Sequence, residues 1–173
     1  SRKEKLLTEL KEILKRLKEE VEKIVKESEK SIEEHHRRSE RLKRESKKSL
    51  DDLAKILERS DKKVIDEIAK EHHDLNREIL REDKKLLDDH HRLNKDLLKT
   101  IKELIDEARR RMEELDQDEE LEKIRREVEE LLRRAEEELR RLNREIEENH
   151  KRVKRELEKI DKEMKDLLRE AKR

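Results

Sequence analysis

Apolar side chains return every three or four residues along nearly the whole chain, in three successive blocks. The first follows Leu7, Leu10, Leu14, Leu17, Val21 and Ile24, passes through Ser28, Ser31, His35, Ser39, Leu42, Ser46 and Ser49, and closes on Leu53 and Leu57. The second opens at Ile65 and Ile68, passes His72, Leu75, Ile79, Asp83, Leu86, His90 and Asn94, and runs through Ile101 and Leu104 to Met112 and Leu115. The third runs from Leu121, Ile124 and Val128 to Leu168 and Ala171, with His150 as its one strongly polar step. Each block covers 50 residues in 14 steps, a period of about 3.57, between the 3.5 of a coiled coil and the 3.6 of a straight helix. The pattern therefore predicts three amphipathic helices of roughly 80 Å each, with little supercoiling.

The blocks are separated where capping chemistry appears. Ser1 and Glu4 stand at capping-box spacing, and Ser60–Asp61, between the first two blocks, offers an N-cap. Asp116-Gln117-Asp118 separates the second and third, with Asp116 and Glu119 again at capping-box spacing. The third block opens acidic (Asp118, Glu119, Glu120) and closes on Lys172 and Arg173; the second closes on Arg109, Arg110 and Arg111. Both arrangements suit the helix dipole. These signals predict helices over about 2–59, 62–115 and 118–172 within a single domain, residues 1–173. The fold class is all-α: an elongated, up-down-up three-helix bundle with nearly straight, coiled-coil-like packing. One unbroken helix through Ser60 is the alternative, because the phase nearly continues there.

The polar residues on the apolar stripes repeat too. His72-His73-x-x-Asn76 recurs as His90-His91-x-x-Asn94, 18 residues or five helical turns later, and Glu27–Ser31 recurs as Glu45–Ser49 at the same spacing. In a hairpin turning between Ser60 and Asp61, residues at one height have numbers that add to 121, which sets Ser31 against His90 and Ser49 against His72. That agreement favours the hairpin. A second turn centred on Gln117 makes the total 234, bringing His91 to Asn143, and gives the parallel first and third helices an offset of 113, bringing His36 to Asn149. Three polar layers result. One holds Ser28, Ser31, His90, His91, Asn94 and Asn143; the middle one holds His35, His36, Ser39, Asp83, Asn149 and His150; the last holds Ser46, Ser49, His72, His73 and Asn76. A buried polar group without a partner costs a few kcal/mol, so a helix slipped by one heptad would strand every such group, whereas leucine alone tolerates the slip. These residues form the candidate hydrogen-bond network that fixes register and topology.

Composition sharpens this picture. Charged residues make up 59% of the 173, with 51 basic and 51 acidic, and Gly, Pro, Cys, Trp, Tyr and Phe are all absent. Missing Gly and Pro argue against sheets with tight turns. A net charge of zero with interspersed signs gives no footprint for nucleic acid, and there are no aromatic rings to stack on bases. No run of 18 apolar residues exists to span a membrane, and no targeting signal is visible, which leaves the localisation unknown.

The lack of aromatics, Gly, Pro and Cys, the Glu/Lys/Arg surface and the duplicated modules "EHHDLN" and "DHHRLN" together resemble de novo designed helical bundles with buried hydrogen-bond networks. The resemblance covers the whole chain; it departs only in the loops, where such designs often place Gly or Pro. It implies a scaffold or an assembly component without a natural ligand; no cofactor and no enzymatic activity are expected.

Four sharper readings compete. Zinc could use His35, His36, His150 and Asp83 at one height, but neighbouring histidines on a helix point about 100° apart and neither the i,i+4 pair nor Glu-x-x-His occurs, so no metal is expected. Ser39, His35 or His36, and Asp83 contain the residue types of a catalytic triad, yet unbroken helices offer no oxyanion hole, so no catalytic residue is assigned. Histidines buried neutral predict acid weakening between about pH 6 and 4, opposed locally where Asp83 meets His150. Finally, flanking residues Leu6, Ile13, Val25, Ile32, Leu50, Leu80, Leu87, Leu98 and Leu132 would edge the core of a closed monomer, the expected state, or line a groove in an oligomer. The resulting expectation is a designed scaffold; the alternative is an interaction module of a homo- or hetero-oligomer that responds to pH.

Overall fold

A computed structural model describes residues 1–59 and 61–173. It contains three helices, α1 (Arg2–Leu57), α2 (Lys62–Glu113) and α3 (Glu119–Lys172), and no strand among the described residues. The sequence favours this outcome locally, because Leu, Glu, Lys and Arg are good helix formers and no Gly or Pro interrupts them. The chain packs as a three-helix bundle.

Side-chain oxygens start each helix. Ser1 Oγ accepts from the Glu4 amide at 3.3 Å, Asp61 Oδ1 from the Val64 amide at 3.1 Å, and Asp118 Oδ1 from the Leu121 amide at 2.8 Å. Asp118 rather than Asp116 therefore caps α3. Only Asp116 has an acidic residue at the three-residue capping-box spacing, since Leu121 stands there for Asp118, so the spacing favoured the residue that does not cap the helix. The N-cap expected at Ser60 falls outside the described residues; Asp61 fills that role. At the end of α2 the Glu114 and Leu115 amides reach back to the Arg111 and Met112 carbonyls, tightening the last turn.

Contacts gather the chain into two compact units. The first comprises residues 1–32 and 90–144, the second 33–89 and 145–173. Each takes a segment from all three helices. In the first unit, one continuous apolar cluster includes Leu10, Leu17, Val21 and Ile24 of α1, Ile101, Ile105 and Met112 of α2, and Leu121, Val128 and Leu139 of α3. The second unit has two smaller clusters. One is Leu42, Ile79, Val153 and Leu157; the other includes Leu50, Leu53, Leu57, Ile65, Ile160 and Met164.

Several positions depart from the apolar repeat. Ile105 lies off the stripe yet is buried, and Ile13 and Leu50, expected at the flank, are fully in the core. Leu75, expected in the core, is 39% exposed. A stripe with a period near 3.57 drifts around a helix, so positions one step from the seam exchange places with it along 50 residues.

Candidate functional site

The second unit holds two polar layers. In one, Ser46 Oγ of α1 donates to Asn76 Oδ1 of α2 at 2.7 Å, and Asn76 Nδ2 donates to Asp161 Oδ1 of α3 at 2.6 Å. One amide thus joins all three helices, using its acceptor toward one neighbour and its donor toward the other. One turn away, Ser49 Oγ lies 3.1 Å from both ring nitrogens of His72. Burial holds the His72 imidazole below its usual pKa, opposed by the nearby carboxylates Glu71 and Asp52. On α1 and α2 this layer lies between the two apolar clusters in sequence, Ser46 between Leu42 and Leu50 and Asn76 between Ile65 and Ile79; on α3, Asp161 lies within the second cluster, between Ile160 and Met164.

In the other layer, Asn149 Nδ2 of α3 donates to Ser39 Oγ of α1 at 2.7 Å. His150 Nδ1 of α3 pairs with Asp83 Oδ2 of α2. Ser39 and Asp83 have 0% exposure, and His35 is buried in the same unit. A substrate could reach the Ser39 hydroxyl only if the helices part.

The first unit contains the remaining layer. Asn94 Nδ2 of α2 donates to Asn143 Oδ1 of α3. Ser28 is buried, Ser31, His90 and His91 are half-buried, and His91, Asn94 and Asn143 line a cleft with Leu98 and Leu139 between α2 and α3. Ser28 Oγ and Asn94 Oδ1 have no hydrogen-bond partner among the described residues.

Two expected members fall outside these layers. His36 and His73 are both exposed. Asn149 meets Ser39, 110 residues away, in place of His36 at 113. The difference is close to one turn, which keeps the face and exchanges the neighbour. Likewise Asn143 meets Asn94 in place of His91. The Asn94–Asn143 and Asn76–Asp161 pairs both have residue numbers adding to 237 against the expected 234. Side chains tilt toward the N-terminus of their own helix, and in an antiparallel pair the two tilts add in the sense these two pairs show, whereas Asp83–His150, adding to 233, stays at the expected height.

Asp161 is the network residue that sequence reasoning missed. Its signal was there: Asp161 and Asp166 are the only aspartates within α3, whose acidic surface is otherwise built from Glu. A short carboxylate near the seam marks a group that reaches inward.

No group of three or more His, Cys, Asp or Glu side chains among the described residues is gathered closely enough to hold a metal ion. No helix among them is long and apolar enough to cross a membrane. No family model and no curated protein matches the chain. Among solved structures, a "Computationally designed three helix bundle" is similar to it at 26% identity, covering 99% of this chain and 90% of that one, with a TM-score of 0.45.

Proposed function

We infer that the chain is a designed structural scaffold with no natural substrate, and that its buried polar layers specify which helix faces meet and at what height. The Ser46–Asn76–Asp161 chain carries this reading, because it satisfies one buried amide with groups from two other helices. Any slip of one helix breaks at least one bond and leaves a polar atom in the core, at about 1–3 kcal/mol each. A layer of leucines would contribute more burial and discriminate less.

The test replaces this layer with apolar residues, as Ser46→Ala, Asn76→Leu and Asp161→Leu together. The expected result is a higher denaturation midpoint with a mixture of masses or a broadened amide spectrum, which reports lost uniqueness. A variant that is more stable and still gives one sharp spectrum and one mass would remove the specifying role.

A second reading is favoured by Leu93 of the first unit and Leu75 of the second, 45% and 39% exposed. Large apolar side chains left in solvent fit a chain that associates with a second copy of itself. Sedimentation at neutral pH decides it: a monomer mass at high concentration excludes self-association.

A further inference from the structure

The short connections fix the height of each helix but not on which side of the α1–α2 hairpin α3 lies. Both arrangements bury the same apolar stripes. Within the first unit the two flanks of α1 are used differently. Glu9 accepts from Arg111 Nε of α2 at 3.1 Å, and Arg2 pairs with Glu114 of α2 at 3.1 Å, so this flank faces α2. The other flank faces α3 through four ion pairs. Lys11 meets Glu120 at 3.0 Å, Lys18 meets Glu127 at 3.5 Å, Arg134 meets Glu22 at 2.8 Å, and Arg141 meets Glu29 at 4.0 Å.

The ladder has a heptad spacing and a change of sign. Lys11 and Lys18 are seven apart and face glutamates seven apart; Glu22 and Glu29 are seven apart and face arginines seven apart. We propose that this sign-changing ladder selects the side of the hairpin on which α3 packs. In the mirror arrangement each flank meets the other neighbour. The α3 stripe carrying Glu120 and Glu127 would then turn toward the α2 flank carrying Glu107, Arg111 and Glu114, near the same connection. Two Lys–Glu pairs would be exchanged for four carboxylates that share one guanidinium. Each exposed pair contributes little to stability, yet the choice between two otherwise equivalent packings depends only on the difference between them.

The experiment uses the full chain. It has no cysteine, so Lys15→Cys and Lys123→Cys, both exposed and on the facing stripes, accept spin labels as unique sites. The unaltered ladder should give one short inter-label distance. Reversing the α3 half (Glu120→Lys, Glu127→Lys, Arg134→Glu, Arg141→Glu) keeps the net charge and should add a second, longer population. Reversing the α1 half as well (Lys11→Glu, Lys18→Glu, Glu22→Lys, Glu29→Lys) should restore the single short distance. If the α3 reversal prevents folding, the smaller change Glu127→Lys with Arg134→Glu is read in the same way. A single unchanged short distance in a folded reversal variant overturns the proposal and assigns the choice of side to the core.

Discussion

At the scale of single residues, the most exacting position is Asp83. Its carboxylate has no exposure and meets His150, which keeps 18%. Removing one partner of a buried pair leaves the other uncompensated and costs about 3–5 kcal/mol, with the lower end expected here because His150 retains some solvent. Asp83→Ala should therefore lose about 3 kcal/mol in denaturant unfolding at neutral pH. Asp83→Leu combined with His150→Leu should recover most of that, since no buried polar group is then left without its partner. His72 gives a second residue-scale expectation. Burial lowers its pKa in the folded state, so below the ordinary value near ~6.5 the unfolded chain binds the proton more readily. The stability of the Ser49–His72 contact is present above that pH and is lost as pH falls through the lowered value. His72→Gln can keep a bond to Ser49 without titrating, so its urea midpoint should change less between pH 7 and 5 than that of the parent chain. The polar residues were legible because serine, histidine and asparagine break an otherwise apolar repeat. The first histidine of each pair falls on the apolar stripe and the second about 100° away, and His72 accordingly meets Ser49 of α1 while His73 is exposed.

At the scale of elements, three helices could be read from periodicity because 50-residue stripes leave no competing period. The connections were harder. Asp116 and Asp118 offer the same chemistry two residues apart, and only the observed bond from the Leu121 amide to Asp118 separates them. The prediction is correspondingly asymmetric. Asp118→Ala should cost about 1 kcal/mol in denaturant unfolding, as for other N-cap losses, while Asp116→Ala should stay within about 0.5 kcal/mol of the parent. Equal effects at both positions would return the cap to Asp116. The α1–α3 ion pairs were illegible for a different reason. With Lys, Arg, Glu and Asp making up 59% of the chain, nearly any register places some opposite charges together. The distinction between one flank of α1 and the other appears only once α2 and α3 have been placed.

At the scale of the whole molecule, polar and apolar resources are divided unevenly between the two units. Among the described residues, the first unit packs 17 buried residues into one apolar cluster, whereas the second has clusters of six and four. Each buried aliphatic side chain contributes roughly 1.5–3 kcal/mol, so the first unit holds the larger hydrophobic share. The second unit contains His35, His72, Asp83 and His150 in its layers, and the first has the half-buried His90 and His91. Burial lowers the pKa of His72, so protonation there opposes folding and gives the second unit an acid response at its Ser49–His72 contact. Stability need not be lost uniformly across a chain, and segments with fewer apolar contacts open first. Amide hydrogen exchange, corrected for its own pH dependence, should therefore show protection falling between pH 7 and 5 across 33–57, 62–89 and 145–172. Residues 10–24, 101–112 and 121–139 should stay protected. His72→Gln should shrink the difference, because it removes the titrating group and leaves the clusters intact. Equal loss in both units, unchanged by that substitution, would mean that the helices open as one cooperative body and that the polar layers set where they meet without setting where they part.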